Sequence, residues 1–95
     1  MITWDETKRR RNFLDHGIDF ADLDGFFDGD LLTREDVRSA YGERRFQSIG
    51  MFNGVALFAV WTPRDEEGAV PHLISARKAE NHEAKSWARQ YRKAH

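Results

Sequence analysis

The residues of this 95-residue chain with the most chemical potential are its arginines, its histidines and one short word, Ile74-Ser75-Ala76-Arg77-Lys78-Ala79, followed by Glu83 and Trp87. The word reads as the end of a buried strand running almost without a loop into an amphipathic helix. Ser75 and Arg77 are thereby expected on rigid element ends, where side chains can be held closely enough for chemistry. Eleven arginines stand against four lysines, and Arg44, Arg45, Arg64 and Arg77 fall on strands or at their ends. A guanidinium presents a planar fork that grips phosphate through two bonds and, being weakly hydrated, tolerates partial burial. A sheet carrying such forks, a proton acceptor and aromatic rings is a workable surface for cleaving RNA.

RNA cleavage without a metal needs a base for the 2′-hydroxyl, cations for the pentacovalent phosphate and an acid for the leaving 5′-oxygen. His16, His72, Glu43 and Glu83 are the candidates for proton transfer, the histidines because their ordinary pKa lies near neutrality. Each has a structural alternative. Glu83 on an apolar helix stripe can simply pair with Arg77 or a strand arginine. His16 precedes Gly17 at a helix C-terminus, where an imidazolium suits the dipole. His72 alternates with Ile74 along a strand, so both share a face that is either core or groove. The run Lys8–Arg11 is a solvated face or a nucleic-acid contact. Trp4 and Trp61 are expected in the core, whereas Trp87 and Tyr91 either anchor the last helix or stack on a base.

Other chemistries are disfavoured. No pair among His16, His72, His82 and His95 has the spacing of a zinc helix, and the chain has no cysteine, so no metal or other cofactor is expected. Neither a glycine-rich phosphate loop nor a nucleophile elbow occurs. No apolar run reaches the roughly 18–20 residues that span a bilayer, and the N-terminus lacks the pattern of a signal peptide. A single cytoplasmic domain over residues 1–95, with no membrane contact, is the expectation. The net charge of −1 is unevenly spread: residues 15–36 carry eight carboxylates against Arg34 alone, and residues 77–95 six cations against two anions. Such blocks either make a basic face for a polyanion or neutralise each other across the fold.

The elements that would position these residues can be read from punctuation and periodicity. A short strand is expected at Met1–Trp4, then a helix capped by Asp5, running to about Asp15 and stopped by Gly17. On it Lys8, Asn12 and His16 recur every four residues and share a face. A second helix is expected from the cap Asp19, with Phe20, Leu23 and Phe27 as its buried stripe, until Gly29. Leu31–Arg34 reads as a short strand and Glu35–Gly42 as a polar connection. Arg44–Phe52 and Val55–Thr62, joined by Asn53-Gly54, carry the strongest hairpin signal. Arg45, Gln47 and Ser48 break the apolar pattern of its first strand, so part of that strand faces water or a ligand. Its second strand is apolar on both faces and is expected to be central. After a turn at Pro63–Gly68 come a strand at Val70–Ala76, entered by Pro71, and a helix from about Lys78 to Lys93. The order β-α-α-β-β-β-β-α is that of an α+β domain, an antiparallel sheet with N-terminal helices and a C-terminal helix packed on it.

Along nearly its whole length the chain resembles the BrnT toxins of bacterial type II toxin–antitoxin modules. The matching pieces are Trp4-Asp5-Glu6 with Lys8 and Asn12, then His16-Gly17-Ile18 with Phe20, and Asp36 with Arg38. Tyr41-Gly42-Glu43 with Arg45, Gly50, Thr62 with Arg64, and Ile74-Ser75-Ala76-Arg77 with Ala79 and Glu83 complete them. The resemblance implies a curved antiparallel sheet like that of RelE-type toxins and metal-independent RNA cleavage that halts translation. It also implies neutralisation by a BrnA-type antitoxin, with operator DNA bound only through the antitoxin complex. Carried over by position, the implied active-site residues are Arg64, Arg77 and Glu43 with Arg45, joined by Lys8 and His16, and Lys8, Arg44 and Ser75 are the expected RNA contacts. His72 departs from the pattern, which often has an arginine after Pro71. It replaces a phosphate-binding cation, serves as the base, or marks a weakened copy. The contrasting reading is a non-catalytic module whose sheet face docks a partner protein.

Overall fold

In the computed structural model, which describes residues 1–37, 42–65, 67 and 70–92, the chain opens with β1 (Thr3–Trp4) and α1 (Glu6–His16). Two 3-10 turns come next, Phe20–Asp22 and Phe26–Asp28, then β2 (Leu31–Asp36), β3 (Arg45–Phe52), β4 (Val55–Pro63), β5 (Pro71–Lys78) and α2 (Asn81–Tyr91). Arg38 and Tyr41, two positions of the resemblance, and the expected element ends Gly68 and Lys93 lie outside the described residues, as does His95. No helix among the described residues is long and apolar enough to cross a membrane.

The sheet grows outward from the hairpin. Asn53 and Gly54 take the left-handed backbone, φ 51° and 79°, that a two-residue turn between twisted strands requires. They set β3 and β4 in register from Phe52↔Val55 to Phe46↔Trp61. The full order is β1-β5-β4-β3-β2, so β4 is central, as its two apolar faces imply. All neighbours are antiparallel except β1, which runs parallel to β5. A single irregularity interrupts the β4–β5 ladder: Trp61 opposes Leu73 and Val60 opposes Ser75, leaving Ile74 as an extra residue.

The α+β class holds, with one correction to its N-terminal helices. Asp19 does cap, accepting from the Ala21 N–H, but the chain beyond it winds into two short 3-10 turns rather than a second α-helix. The tighter winding buries Phe20, Leu23 and Phe26 at a spacing of three, where an α-helical stripe would have placed Phe27. These three pack on one sheet face with Leu57, Ala59, Leu73 and Ala76. Gly50 is what lets them close in, since a Cβ there would lie 2.6 Å from Leu31 Cδ2 and 3.2 Å from the Phe26 ring. The C-terminal junction also differs: β5 runs on to Lys78, paired with Leu57, and α2 starts only at Asn81. Glu83 sets that start by accepting the Glu80 N–H at 2.8 Å.

The edge of β5 is sealed by a side chain. Beyond the two residues of β1, Asn12 takes over, its amide donating to the Ala76 carbonyl and its oxygen accepting the Ala76 N–H, both at 2.9 Å. The same amide donates to Ile18 O, and Arg9 clamps Asp19 through two bonds of 2.7 and 3.1 Å. Asn12 is 5% exposed, so Asn12→Leu strands two buried backbone groups. It is expected to lower unfolding free energy by about 2–4 kcal/mol in urea titration; a loss below about 0.5 kcal/mol would mean that water replaces the carboxamide.

Candidate functional site

Cross-strand pairing sorts the polar residues onto two faces. The face opposite the core carries Arg34 and Gln47, which are direct partners on β2 and β3, then Phe58, Val60 and Thr62 of β4, and His72, Ser75 and Arg77 of β5. The helix α2 covers the hairpin end of this face. Its Trp87 is buried and donates to Asp30 O, and the Tyr91 hydroxyl donates to Leu31 O. Both rings are therefore anchors. The other half of the face is open.

Arg77 sits where the covered and open halves meet. Its guanidinium lies 4.1 Å above the Phe58 ring and donates to both Glu83 oxygens, at 2.8 and 3.0 Å. A further bond reaches Lys78 O. Glu83 is thus the partner that aims Arg77. Its bonds to Arg77 hold its carboxyl below the usual range and, reciprocally, raise Arg77. Glu80, His82 and Glu83 offer ligand atoms within 4.8 Å of one another, but both Glu83 oxygens are already engaged by Arg77.

His72 forms a second centre. Thr3 Oγ1 lies 2.7 Å from its Nδ1, which leaves Nε2 as the nitrogen without a partner among the described residues. Partial burial lowers the His72 pKa, and nearby Arg64 lowers it further, while Glu43 and Asp5 pull it up and Lys8 again lowers it. All four act on the ring through their charge. Glu43 also meets Arg45, with Nε 3.5 Å from Oε1. His72 faces Thr62 and Arg77 faces Phe58, so four residues of β4, roughly 13 Å, separate the two centres.

The remaining candidates divide. Lys8 and His16, with Asn12, share the α1 face that lines a groove against Ile74 and Ser75, as their spacing implied. The extra residue in β5 turns both Ile74 and Ser75 toward this groove. His16 is exposed, and Gly17 closes its helix with the N–H bonded to Phe13 O. Arg44 goes elsewhere: it pairs with Glu35 at 3.2 Å and stacks on Phe46, itself stacked on Trp61, on the core side of the sheet. Ser48 is fully buried there, holding Thr33 Oγ1 and Trp61 Nε1.

Sequence reasoning missed Arg34, Thr3 and Phe58 as members of this surface. Strand alternation through Gln47 was a usable signal for Arg34. Nothing local announces Thr3 or Phe58, whose roles depend on the partner strand.

The Arg77–Glu83 pair has a signature in stability. A carboxylate with a lowered folded pKa contributes stability above its unfolded value and loses it as pH falls through the lowered one. Arg77→Met is expected to cost about 1–3 kcal/mol at neutral pH and to flatten the acid-side decline in urea midpoints. A variant with an unchanged pH profile would show that the pair carries no net stability.

A family model described as "Ribonuclease toxin, BrnT, of type II toxin-antitoxin system" matches residues 4–83. The matched span contains His72 and Arg77 and ends on the Arg77 partner Glu83. No curated protein matches the chain.

Proposed function

The chain belongs to the BrnT family of ribonuclease toxins of type II toxin–antitoxin systems, and on that premise we propose that it cuts RNA on the open half of its sheet, around His72. The observation that carries this reading is the setting of His72: half-buried, paired at Nδ1 with Thr3 Oγ1, and in the electrostatic field of Arg64 and Lys8. Desolvation keeps the ring neutral near pH 7, and in the tautomer whose Nδ1–H donates to Thr3 Oγ1 the Nε2 atom can accept a proton.

In this scheme Nε2 takes the proton of a ribose 2′-hydroxyl. The 2′-oxygen attacks the neighbouring phosphorus, the bond to the 5′-oxygen breaks, and that oxygen leaves with a proton from the surroundings. The products are a 2′,3′-cyclic phosphate and a 5′-hydroxyl. Negative charge gathers on the phosphorane oxygens, and Arg64 and Lys8 supply the fixed cations that stabilise it. Arg45, steadied by Glu43, adds a third positive group beside them. The groove between Lys8, His16 and Ser75 gives the strand a path along α1. Arg77, with its bonds to Glu83, holds charge farther along the same strand.

The chemistry asks for no metal. A type II toxin has an antitoxin protein as partner; here that partner is of the BrnA type, and operator DNA is reached only through the complex. RNA cleavage by the free chain then halts translation.

Purified chain is expected to cut RNA in the presence of EDTA, leaving cyclic phosphate ends. His72→Gln should slow cleavage by about 10²–10⁴-fold with its melting temperature kept. Because a base must be unprotonated and the His72 pKa is lowered, the acid limb of kcat/KM should fall below the ordinary histidine value and vanish in His72→Gln. Intact RNA at verified folding, or cleavage that EDTA abolishes, would overturn the scheme.

A further inference from the structure

A cleft of about 290 Å³ lies beside Arg77, between α2 and strands β2 to β4. Its walls are the apolar side chains of Leu32, Ile49 and Phe58, and Arg34 and Gln47 supply polar groups. The volume falls just under the range typical of whole small-molecule pockets, which suits one base rather than a complete nucleotide. We propose that this cleft is the specificity subsite of the toxin and that it seats a guanine of single-stranded RNA by the O6/N7 edge. The inference rests on the ribonuclease reading and adds to it what the enzyme recognises and where.

Gln47 is the central residue. It is 5% exposed, and its Oε1 accepts the Arg34 Nε–H at 2.8 Å. Arginine only donates, so this bond settles which end of the carboxamide is oxygen. The amide nitrogen is therefore the other end, on a residue that lines the cleft, and it has no partner among the described residues. That nitrogen is not fully closed off, so water meets it in the cleft and a ligand acceptor can take that water's place. Arg34 repeats the pattern: Nε is engaged, while its two terminal nitrogens make no bond among the described residues.

Arg34 and Gln47 thus offer adjacent donors on the sheet side of the cleft, and His82 lines it from α2. The carboxylate on its wall, Glu83, has both oxygens on Arg77. The Ser86 hydroxyl already donates to His82 O and accepts from Arg89. Two neighbouring donors call for two neighbouring acceptors on a base edge. Guanine presents these at O6 and N7, the edge that an arginine fork fits best. Adenine sets an amino group next to N7, which would meet the paired donors with a further donor; cytosine has adjacent acceptors at O2 and N3, but its O2 lies beside the ribose, whereas guanine O6 and N7 stand clear of the sugar. Uracil separates its two carbonyls by an N–H. Bases splayed from a single strand are read on such edges while lying against apolar side chains, which Leu32 and Ile49 provide. Arg77 touches both Phe58 and Glu83 of the cleft wall, so the phosphate of a seated guanosine meets a cation at the cleft mouth.

The test maps cuts on a mixed-sequence RNA and on the same RNA with 7-deazaguanine, which lacks the N7 acceptor but leaves the protein untouched. Cuts are expected at a constant offset from guanine, and the 7-deaza substitution should lower kcat/KM there by about 5- to 150-fold. Gln47→Glu keeps the bond to Arg34 but turns the open donor into an acceptor. It should lose the guanine preference, read as the ratio of kcat/KM at guanine-offset sites to that at other sites falling toward 1. In parallel, GMP titrated into wild-type chain should shift the Gln47 side-chain amide signal in nitrogen–proton spectra, and CMP should not. Cleavage with an unchanged pattern in both substrates and in Gln47→Glu overturns the subsite and leaves the ribonuclease reading intact. Intact RNA together with a GMP-specific shift supports the guanine site while sinking the ribonuclease reading. Intact RNA with no GMP shift overturns both.

Discussion

One carboxamide holds the candidate site in shape. Asn12 is the only buried residue of α1 among those described, and it reads both backbone groups of Ala76 while also bonding Ile18 O. A strand edge left open at this point would carry unpaired polar groups, and β1 is too short to cover it. The carboxamide matches a peptide group, one donor and one acceptor, so it stands in for the missing strand. Because Lys8 and His16 lie one turn away on either side, the bond also fixes how those two face the groove beside Ser75. The docking of α1 owes little to apolar burial, since Phe13 and Leu14 are both exposed.

The extra residue at Ile74 has a related effect. Before it, Leu73 points into the core and His72 away; after it, Ala76 points in and Arg77 away. Without that slip a strict alternation from Leu73 would put Arg77 on the core side and Ala76 outside. His72 and Arg77 share the outer face because of it. They nonetheless stay apart, and their electrostatic settings differ. Arg77 is locked by a carboxylate and an aromatic ring, which favours a positioning or anchoring part. His72 is partly desolvated among surface charges of both signs, where a proton can be gained and lost.

The sheet face is divided by what covers it. Trp87 and Tyr91 fix α2 over the hairpin end by bonds to backbone carbonyls at the start of β2. The lip of that covered half is the cleft in which Gln47 keeps an open donor. Recognition and cleavage would then occupy neighbouring parts of one rigid sheet, with Arg77 between them. Groups on strands are better fixed than groups on loops, and this is the advantage of building both on the sheet.

Much of this was readable from the residues in order. Asn53-Gly54 and the apolar run of β4 dictate the hairpin and its central place, because turn chemistry and two-sided burial act over a few residues. The caps Asp5 and Asp19, the stop at Gly17 and the shared face of Lys8, Asn12 and His16 are equally local. The word around Ser75 and Arg77 pointed to the right strand, and Glu83 to the right partner. Four things were decided only by packing between distant segments. Phe20 to Phe26 winds as 3-10 turns because the core beside Gly50 admits a spacing of three. Then β1 pairs parallel with β5, bringing Thr3 to His72. Arg44 turns to Glu35 and Phe46 on the core side, held by a carboxylate of the neighbouring strand and a ring two residues on. Finally Gln47, whose polarity already marked part of its strand as facing water or a ligand, becomes the neighbour of Arg34 once β2 lies beside β3, with donors left open on both. Periodicity and capping act within a turn or a hairpin; register and edge pairing depend on residues up to 69 positions apart, and those only the folded chain brings together.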